Sequence, residues 1–546
     1  MLIACVIVYM AATVAVGVYA SSRVKDSTDF MVAGRSLPLY MNFACVFATW
    51  FGAETLLSVS AKFAHKGLGH VSGDPFGASL CLVLVAFFFA RTFYRMELLT
   101  IGDYYHARYG KLVEVVTSLG IAASYLGWTS AQLSALGLVI NVLFPQITLS
   151  QSIIIGASIV TVYTLFGGMW SVALTDVIQT AAIVIGLLIV AALLGNMAGG
   201  FDVVIAAAHR DGKLNLFPHV TTAAWLVFVG EFITMSLGSI PQQDVFQRVT
   251  SAKNERTAFL GTLGGALFYF GFAFVPMFIA ISAIVIDPGY AALFEQEDVR
   301  KVQQILPMLV LDKTPIWCQV LFFGALLSAI LSTASGTLLA PSSLLTENVL
   351  QPFIKHFSDK SMLLVLRCLL VVVAVISTTI AIITNKTMYE LVESGYSVTL
   401  VVAFVPLVCG IYWKHASTQA AIFSIMLAVP VWLGVQSLQK STVAALEESA
   451  AKSVAARVED AKSTVAPKAD APVGADVKPP GIVAGREAEA EAELELPLWT
   501  VVPPQLYGLV ASFIGMFAGG LLPQWIRQKH PNPEHLAHRR AAATGH

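Results

Sequence analysis

Small and hydroxylated residues line one face of an apolar segment near position 330. The face runs from Ala329 through Ser332 and Thr333, a spacing of i, i+3 and i+4 that a helix brings together. Such faces commonly serve close packing between membrane helices. They can also bind sodium, because hard cations prefer several oxygen ligands and hydroxyl groups can act beside carbonyls of a broken helix. Spacing alone leaves both interpretations open.

A carboxylate lies in the middle of another apolar segment. Glu54 follows Gly52 inside a run that is otherwise nearly free of charge. An ionisable residue at membrane depth is a functional hypothesis by default, although Glu54 can instead be a hydrogen-bonding partner for a neighbouring helix. A glycine beside it permits a helix break, which is tolerated in a membrane where it lines a cavity or an ion site.

The other residues that could bind metal or catalyse a reaction say less about function. His65, His70 and Asp74 fall in a predicted outer loop and could bind a metal, but loop histidines without a third well-spaced ligand are usually solvated. Neither a nucleotide-binding nor a hydrolase motif is visible in the sequence. The sequence therefore predicts no enzyme activity. The energy for any work that the protein does must come from concentration or electrical gradients.

The amino-acid composition indicates whether these residues lie in water or in a lipid bilayer. Charged residues make up 12% of the 546 residues, and hydrophobic residues make up 56%. Soluble domains carry about 25% charged residues. The formal net charge of −1 gives no basic surface for nucleic acid. An all-α polytopic membrane protein with the lipid bilayer as its partner is the class that fits.

Thirteen apolar runs are long enough to cross a bilayer of about 30 Å. They cover roughly residues 1–21, 39–62, 76–98, 113–143, 151–167, 173–197, 222–241, 258–286, 315–348, 361–384, 388–412, 417–437 and 498–525. Alternate loops are rich in Lys and Arg, which predicts a periplasmic N-terminus and a cytoplasmic C-terminus in the inner (plasma) membrane. Between the last two runs, residues 438–497 are rich in Ala, Glu and Pro and are predicted to form a disordered periplasmic insertion.

Four stretches carry a family resemblance. Residues 29–38 read DFMVAGRSLP, 100–110 read TIGDYYHARYG, 166–179 read FGGMWSVALTDVIQ, and Gln247-Arg248 precedes the eighth run. Their order and spacing resemble the sodium/solute symporter family, which includes sodium:proline and sodium:glucose symporters. The resemblance extends over residues 30 to 430, most of the chain.

The resemblance implies a LeuT-like fold of thirteen helices, in which two five-helix repeats of inverted orientation enclose a midplane site. Paired helix breaks are then expected at Gly52 in one repeat and at Gly230 with Gly238 in the other. The implied boundaries are 1–38 for the first helix and a cytoplasmic loop, 39–197 and 198–412 for the repeats, 413–437 for an additional helix, 438–497 for the insertion, 498–525 for the last helix and 526–546 for a cytoplasmic tail.

The same resemblance implies a sodium site, with Na⁺ as the coupling ion. Asp176 matches a family aspartate near the inner ion exit, although at the start of the sixth run it could equally be an N-terminal helix charge. The implied ligands are the carbonyl groups of Ala48, Phe51 and Ala329 and the hydroxyl groups of Ser332 and Thr333.

The family resemblance identifies the substrate-binding residues less directly than it identifies the sodium ligands. The candidates are polar and aromatic residues near the middle of the membrane: Trp50, Glu54, Gln132, Glu393 and Tyr396. The expected function is sodium-coupled import, by alternating access, of a small organic solute such as proline or another amino acid, or a monocarboxylate. The alternative is a solute sensor that retains the transporter fold. A channel is disfavoured because no selectivity-filter element is present.

Overall fold

The computed structural model describes residues 1–526 except positions 21, 23, 25, 219–220, 295, 297, 352–358 and 465–496. Within these residues the chain is helical, and a single β-bridge joins Leu37 to Ala252. The predicted cytoplasmic tail, apart from residue 526, and the proline-rich part of the predicted insertion lie outside the described residues.

The described helices include eleven to thirteen candidate membrane spans, and the upper number agrees with the predicted thirteen. Eleven helices are long and apolar enough to span a membrane, and two bent pairs bring the number to thirteen. We number them in chain order as spans 1 to 13: Leu2–Ala20, Leu39–Trp50 with Glu54–Lys66, Ser72–Arg95, Lys111–Leu143, Leu149–Phe166, Gly168–Met197, Thr222–Gly238 with Gln243–Ser251, Glu255–Ile286, Ile316–Leu350, Lys360–Ile383, Met388–Tyr412, Thr418–Ala450 and Pro504–Leu521. We call the side on which span 1 begins the N-terminal face and the opposite side the C-terminal face.

The first span of each predicted repeat is broken. Span 2 bends by 51° around Gly52, and span 7 bends by 46° just after Gly238. The expectation of a break at Gly230 is wrong, because Gly230 lies inside the continuous helix Thr222–Gly238. A Cβ there would come within 2.4 Å of Pro503 Cγ, so this glycine serves close packing against the start of span 13.

Span 12 extends far beyond its predicted end. The helix runs from Thr418 to Thr464, whereas the sequence analysis ends the span at residue 437 and predicts disorder from residue 438. Alanine, glutamate and lysine are strong helix formers, and Lys452 forms an i,i+4 pair with Glu448 at 2.6 Å. The described part of the predicted insertion is thus helical as far as Thr464.

The long spans enclose the two broken helices. Span 9 packs against spans 5 and 6, span 4 packs against span 11, and the first half of span 2 packs against span 8. This arrangement brings the middle of spans 2, 4, 8, 9 and 11 to one buried region. Backbone groups that the helix breaks leave without a partner in their own helix can form contacts there.

A short helix on the C-terminal face, Ile101–Tyr109, is fastened to the end of span 11. Four side chains of this short helix donate to carbonyl groups of span 11: Tyr105 donates to the carbonyl of Ala403 at 2.9 Å, Tyr109 to Pro406 at 2.7 Å, Tyr104 to Leu407 at 3.1 Å and Arg108 to Gly410 at 3.0 Å.

Candidate functional site

The break in span 2 exposes carbonyl groups in the middle of the membrane. The first half ends at Trp50, and Phe51 has non-helical angles of φ −87° and ψ 73°. The amide of Ala53, which would bond the Thr49 carbonyl in a regular helix, instead donates to Gln132 Oε1 at 3.1 Å. Gln132 thereby stabilises the break and leaves the Thr49 carbonyl available.

Span 9 brings hydroxyl groups to these carbonyls. Thr333 Oγ1 donates to the Thr49 carbonyl at 3.0 Å and lies 3.4 Å from the Ala48 carbonyl. Phe51 and Ala329, two further predicted ligands, are fully buried on the same two spans. The Thr49 carbonyl was missed by the sequence analysis, since its release depends on a side chain from span 4.

Asp176 belongs to this cluster. Ser332 Oγ donates to Asp176 Oδ1 at 2.6 Å, and Asp176 is fully buried. Span 6 begins at Gly168, so Asp176 lies two turns inside the helix, and its interpretation as an N-terminal helix charge is wrong. Asp176 Oδ2 has no hydrogen-bond partner among the described residues. The cluster therefore combines hydroxyl, carbonyl and carboxylate oxygens, the ligand set that a hard cation such as sodium prefers.

Next to the oxygen cluster around Thr333 and Asp176, three aromatic rings pack around the break in span 2. The ring centroids of Trp50 and Trp128 lie 6.3 Å apart, those of Trp50 and Tyr396 6.4 Å, and those of Trp128 and Tyr396 5.6 Å. Tyr269 joins from span 8 at 6.5 Å from Trp50. We call Trp50, Trp128, Tyr269 and Tyr396 the aromatic cluster. Because the rings contact one another, the cluster must spread to admit a solute.

Glu54 lies against the aromatic cluster. It accepts a hydrogen bond from Trp128 Nε1 at 3.0 Å and another from Gln132 Nε2 at 2.5 Å, and it is 3% exposed. Trp50 Nε1 is buried and has no acceptor among the described residues, so it can donate to a bound solute. The structure thus brings together four of the five predicted substrate residues: Trp50, Glu54, Gln132 and Tyr396.

A second carboxylate, Asp74, borders the cluster. Tyr269 donates to Asp74 Oδ1, and Thr55 donates to Asp74 Oδ2 at 2.8 Å. Asp74 is 1% exposed, so its placement in an outer loop with His65 and His70 is wrong. In the part of the chain that the structure describes, no group of three His, Cys, Asp or Glu side chains could hold a metal ion.

Glu393, the remaining substrate candidate, lies apart from the aromatic cluster. It is one turn from Tyr396 toward the N-terminal face and lines a cavity of about 330 Å³ with Lys62, Glu231 and Tyr389. The structure therefore assigns Glu393 to a separate compartment on the N-terminal side of the cluster.

On the other side, a buried arginine closes the site toward the C-terminal face. Arg248 donates to Thr49 Oγ1 through Nη2 at 2.7 Å and to the Asp244 carbonyl at 3.1 Å. A Cβ at Gly336 would come within 2.6 Å of Arg248 Nη2, which explains the absence of a side chain at that position. Tyr125 also donates to Asp244 Oδ1, linking span 4 to the second half of span 7.

Comparisons with known proteins agree with this architecture. The profile of the sodium:solute symporter family matches residues 30–428. The high affinity choline transporter 1 of Homo sapiens is 28% identical over 435 residues, which is 76% of this chain and 73% of that protein. The osmoregulated proline transporter OpuE of Bacillus subtilis is 25% identical over 452 residues, 80% of this chain and 89% of that protein. A solved Na⁺-coupled sialic acid symporter, in a substrate-bound outward-open state, has a TM-score of 0.70 and 18% identity, with 96% of this chain and 98% of that chain covered.

Proposed function

Since the chain belongs to the sodium:solute symporter family, we propose that it imports a quaternary-ammonium solute such as choline together with sodium. Family membership makes the protein a multi-pass secondary transporter with sodium as the coupling ion, and not an enzyme. The nature of the solute and the individual ion ligands form the proposal.

The aromatic cluster with Glu54 is the observation that supports a quaternary-ammonium solute. Trimethylammonium groups cannot donate hydrogen bonds and are recognised by aromatic faces, which are worth about 0.5 to 2 kcal/mol each. The rings of Trp50, Trp128 and Tyr396 contact one another in stacked and edge-to-face pairs, and Glu54 supplies a carboxyl group beside them. The free N–H of Trp50 offers a donor to a hydroxyl group such as that of choline.

A cation also suits the site better than the amino acid or monocarboxylate that the sequence suggests. The carboxylate of a zwitterion or an organic anion would lie near Glu54 and Asp74 and would be repelled by them. If one sodium accompanies a monovalent cation, two charges cross the membrane, and about 100 mV supplies about 4.6 kcal/mol, or roughly 2000-fold accumulation. The sensor alternative has no support among the relatives, which are transporters.

For sodium, we propose the ligands Ala48, Phe51, Ala329, Ser332 and Thr333, with Asp176 receiving the ion on release. The Thr333 contact with the span 2 carbonyls and the Ser332 contact with Asp176 support this assignment. The distribution of Lys and Arg among the loops supports an inner-membrane orientation in which the N-terminal face is periplasmic.

Uptake of radiolabelled choline into proteoliposomes, with a sodium gradient or a potassium control, tests the proposal. We expect sodium-dependent uptake that excess unlabelled choline abolishes and that excess proline or lactate leaves intact. Inhibition by proline or lactate but not by choline would contradict the proposed solute. Counterflow of labelled choline distinguishes a carrier from a sensor, because only a carrier exchanges solute.

Two substitutions of Trp50 test the aromatic contact. Trp50→Leu removes the ring and should raise the KM for choline about 5- to 30-fold, the effect of losing about 1 to 2 kcal/mol. Trp50→Phe keeps a smaller aromatic face and removes the unbonded N–H, so its KM should stay closer to wild type than that of Trp50→Leu. Equal effects of the two variants would show that the ring face is not used.

A further inference from the structure

A cavity of about 330 Å³ lies between the aromatic cluster and the N-terminal face. It is bounded by the second half of span 2 and by spans 7 and 11. Its ionisable wall consists of Glu231, Glu390, Glu393, Lys62, Lys66 and His65, and Tyr389 adds an aromatic ring. Three carboxylates against two lysines give the wall a formal charge of −1 with His65 neutral, which favours cations weakly.

Lys62 already occupies the most favourable position for a cation. Its Nζ lies 4.3 Å from the centroid of the Tyr389 ring and 3.0 Å from Glu231 Oε1. The Tyr389 hydroxyl donates to Glu231 Oε2 at 3.1 Å, so the ring and the carboxylate form one unit. An aromatic face beside a carboxylate is also what Trp128 and Glu54 present in the aromatic cluster. The lysine ammonium is thus bound as a free organic cation would be.

Tyr389 stands between this cavity and the aromatic cluster. Its amide donates to Ser58 Oγ at 3.3 Å, and Ser58 lies one turn from Glu54 on span 2. A Cβ at Gly73 would come within 2.4 Å of the Tyr389 hydroxyl, so the ring contacts the backbone next to Asp74. The ring that Lys62 covers therefore lies between the N-terminal cavity and the residues around Glu54.

We propose that the Tyr389–Glu231 unit is a second binding site for organic cations, and that Lys62 is its tethered occupant and acts as the gate. An arriving quaternary-ammonium group displaces the lysine from the ring, and the displaced side chain uncovers the path to the aromatic cluster. The chemical class of the ligand rests on the proposed function. The gate itself rests on the position of Lys62.

The strength of the lysine contact suits a gate that opens. The Lys62 side chain is 25% exposed and that of Glu231 is 15% exposed, so solvent screens their ion pair only in part. The ion pair and the cation–π contact together favour the closed form by at least about tenfold. A cationic solute at moderate concentration can therefore compete with the lysine.

Reaction of a cysteine in the cavity wall, next to Tyr389, tests this proposal. Ser58→Cys, in a background without the six native cysteines, is exposed from the N-terminal face to two impermeant methanethiosulfonates, one trimethylammonium and one sulfonate. Lys62→Gln should speed modification by the trimethylammonium reagent about tenfold and should not speed the sulfonate reagent. Glu231→Gln should lower the ratio of the two rates. Lys62→Arg, which keeps the charge, is the matched control and should resemble Lys62.

The outcomes separate the gate from the proposed solute. Equal acceleration of both reagents by Lys62→Gln would show a steric lid without a cation site and overturn the proposal, as would no acceleration at normal expression. A charge-selective effect together with absent choline uptake would support the gate and contradict the proposed solute. Choline uptake with no charge-selective effect would leave the solute intact and overturn the gate.

Discussion

Replacing Thr333 with valine is expected to weaken the activation of transport by sodium. The Thr333 hydroxyl is fully buried and contacts the carbonyls of Thr49 at 3.0 Å and Ala48 at 3.4 Å. Valine keeps the shape of the side chain and removes this oxygen. An unmet buried polar partner costs about 1 to 3 kcal/mol, so half-saturating sodium should rise about 5- to 150-fold.

The assay is solute uptake into proteoliposomes measured against sodium concentration. Thr333→Ser, which restores the hydroxyl, should return the sodium curve toward wild type. Thr337→Val is the matched control, because Thr337 lies one turn further along span 9, is also fully buried, and donates to the Ala334 carbonyl of its own helix at 3.1 Å. The KM for solute should change only when sodium is limiting, since coupling between the two sites is reciprocal.

An unchanged sodium curve in Thr333→Val at normal expression would refute the assignment of this hydroxyl as a sodium ligand. A shift of equal size in Thr337→Val would also refute it, because the effect would then come from packing in span 9. Thermal stability measured without sodium separates the loss of the Thr333 hydrogen bond from the loss of ion binding.

Three further results are expected. Asp176→Asn keeps an acceptor for Ser332 but removes the charge, so half-saturating sodium should rise about tenfold while solute binding at saturating sodium persists; an unchanged value would exclude Asp176 from the ion path. Replacing residues 466–495 by a short Gly/Ser linker should leave uptake within about twofold, and lost uptake with normal membrane insertion would show that the segment acts in transport. Glu114, which hydrogen-bonds His106, raises the pKa of the His106 imidazole; the resulting stabilisation is present below the ordinary histidine pKa and disappears as pH rises through the raised value. The difference in melting temperature between wild type and His106→Gln should therefore be larger at pH 6 than at pH 9.

The approach of the hydroxyl groups of span 9 to the break in span 2 was predictable through the family resemblance, whereas spacing alone leaves that face open to close packing or to sodium binding. Ser332 and Thr333 are adjacent, and Ala48 precedes a glycine that signals the break. The involvement of Thr49 was not predictable. Its carbonyl is released by Gln132 on span 4, and such a contact between distant residues leaves no local pattern.

The aromatic cluster was only partly predictable. Trp128 and Tyr269 lie in apolar helices, where an aromatic residue usually belongs to the packed core. Their residue types therefore did not indicate a binding site. The sequence places Asp74 in the loop before the apolar run that begins at residue 76, yet the structure buries Asp74 at the start of span 3. Glu393 and Tyr396 are one turn apart and therefore look like one site, but they line different compartments.

The attachment of the short helix Ile101–Tyr109 to span 11 determines which parts of the protein move as a rigid body. Four side-chain hydrogen bonds join the helix to carbonyls between Ala403 and Gly410. At about 1 kcal/mol each, separating them would cost about 4 kcal/mol and reduce the separated population about a thousandfold. The short helix therefore travels with span 11, and the hinge for opening toward the C-terminal face is expected at the bends in spans 2 and 7, where the backbone is already non-helical.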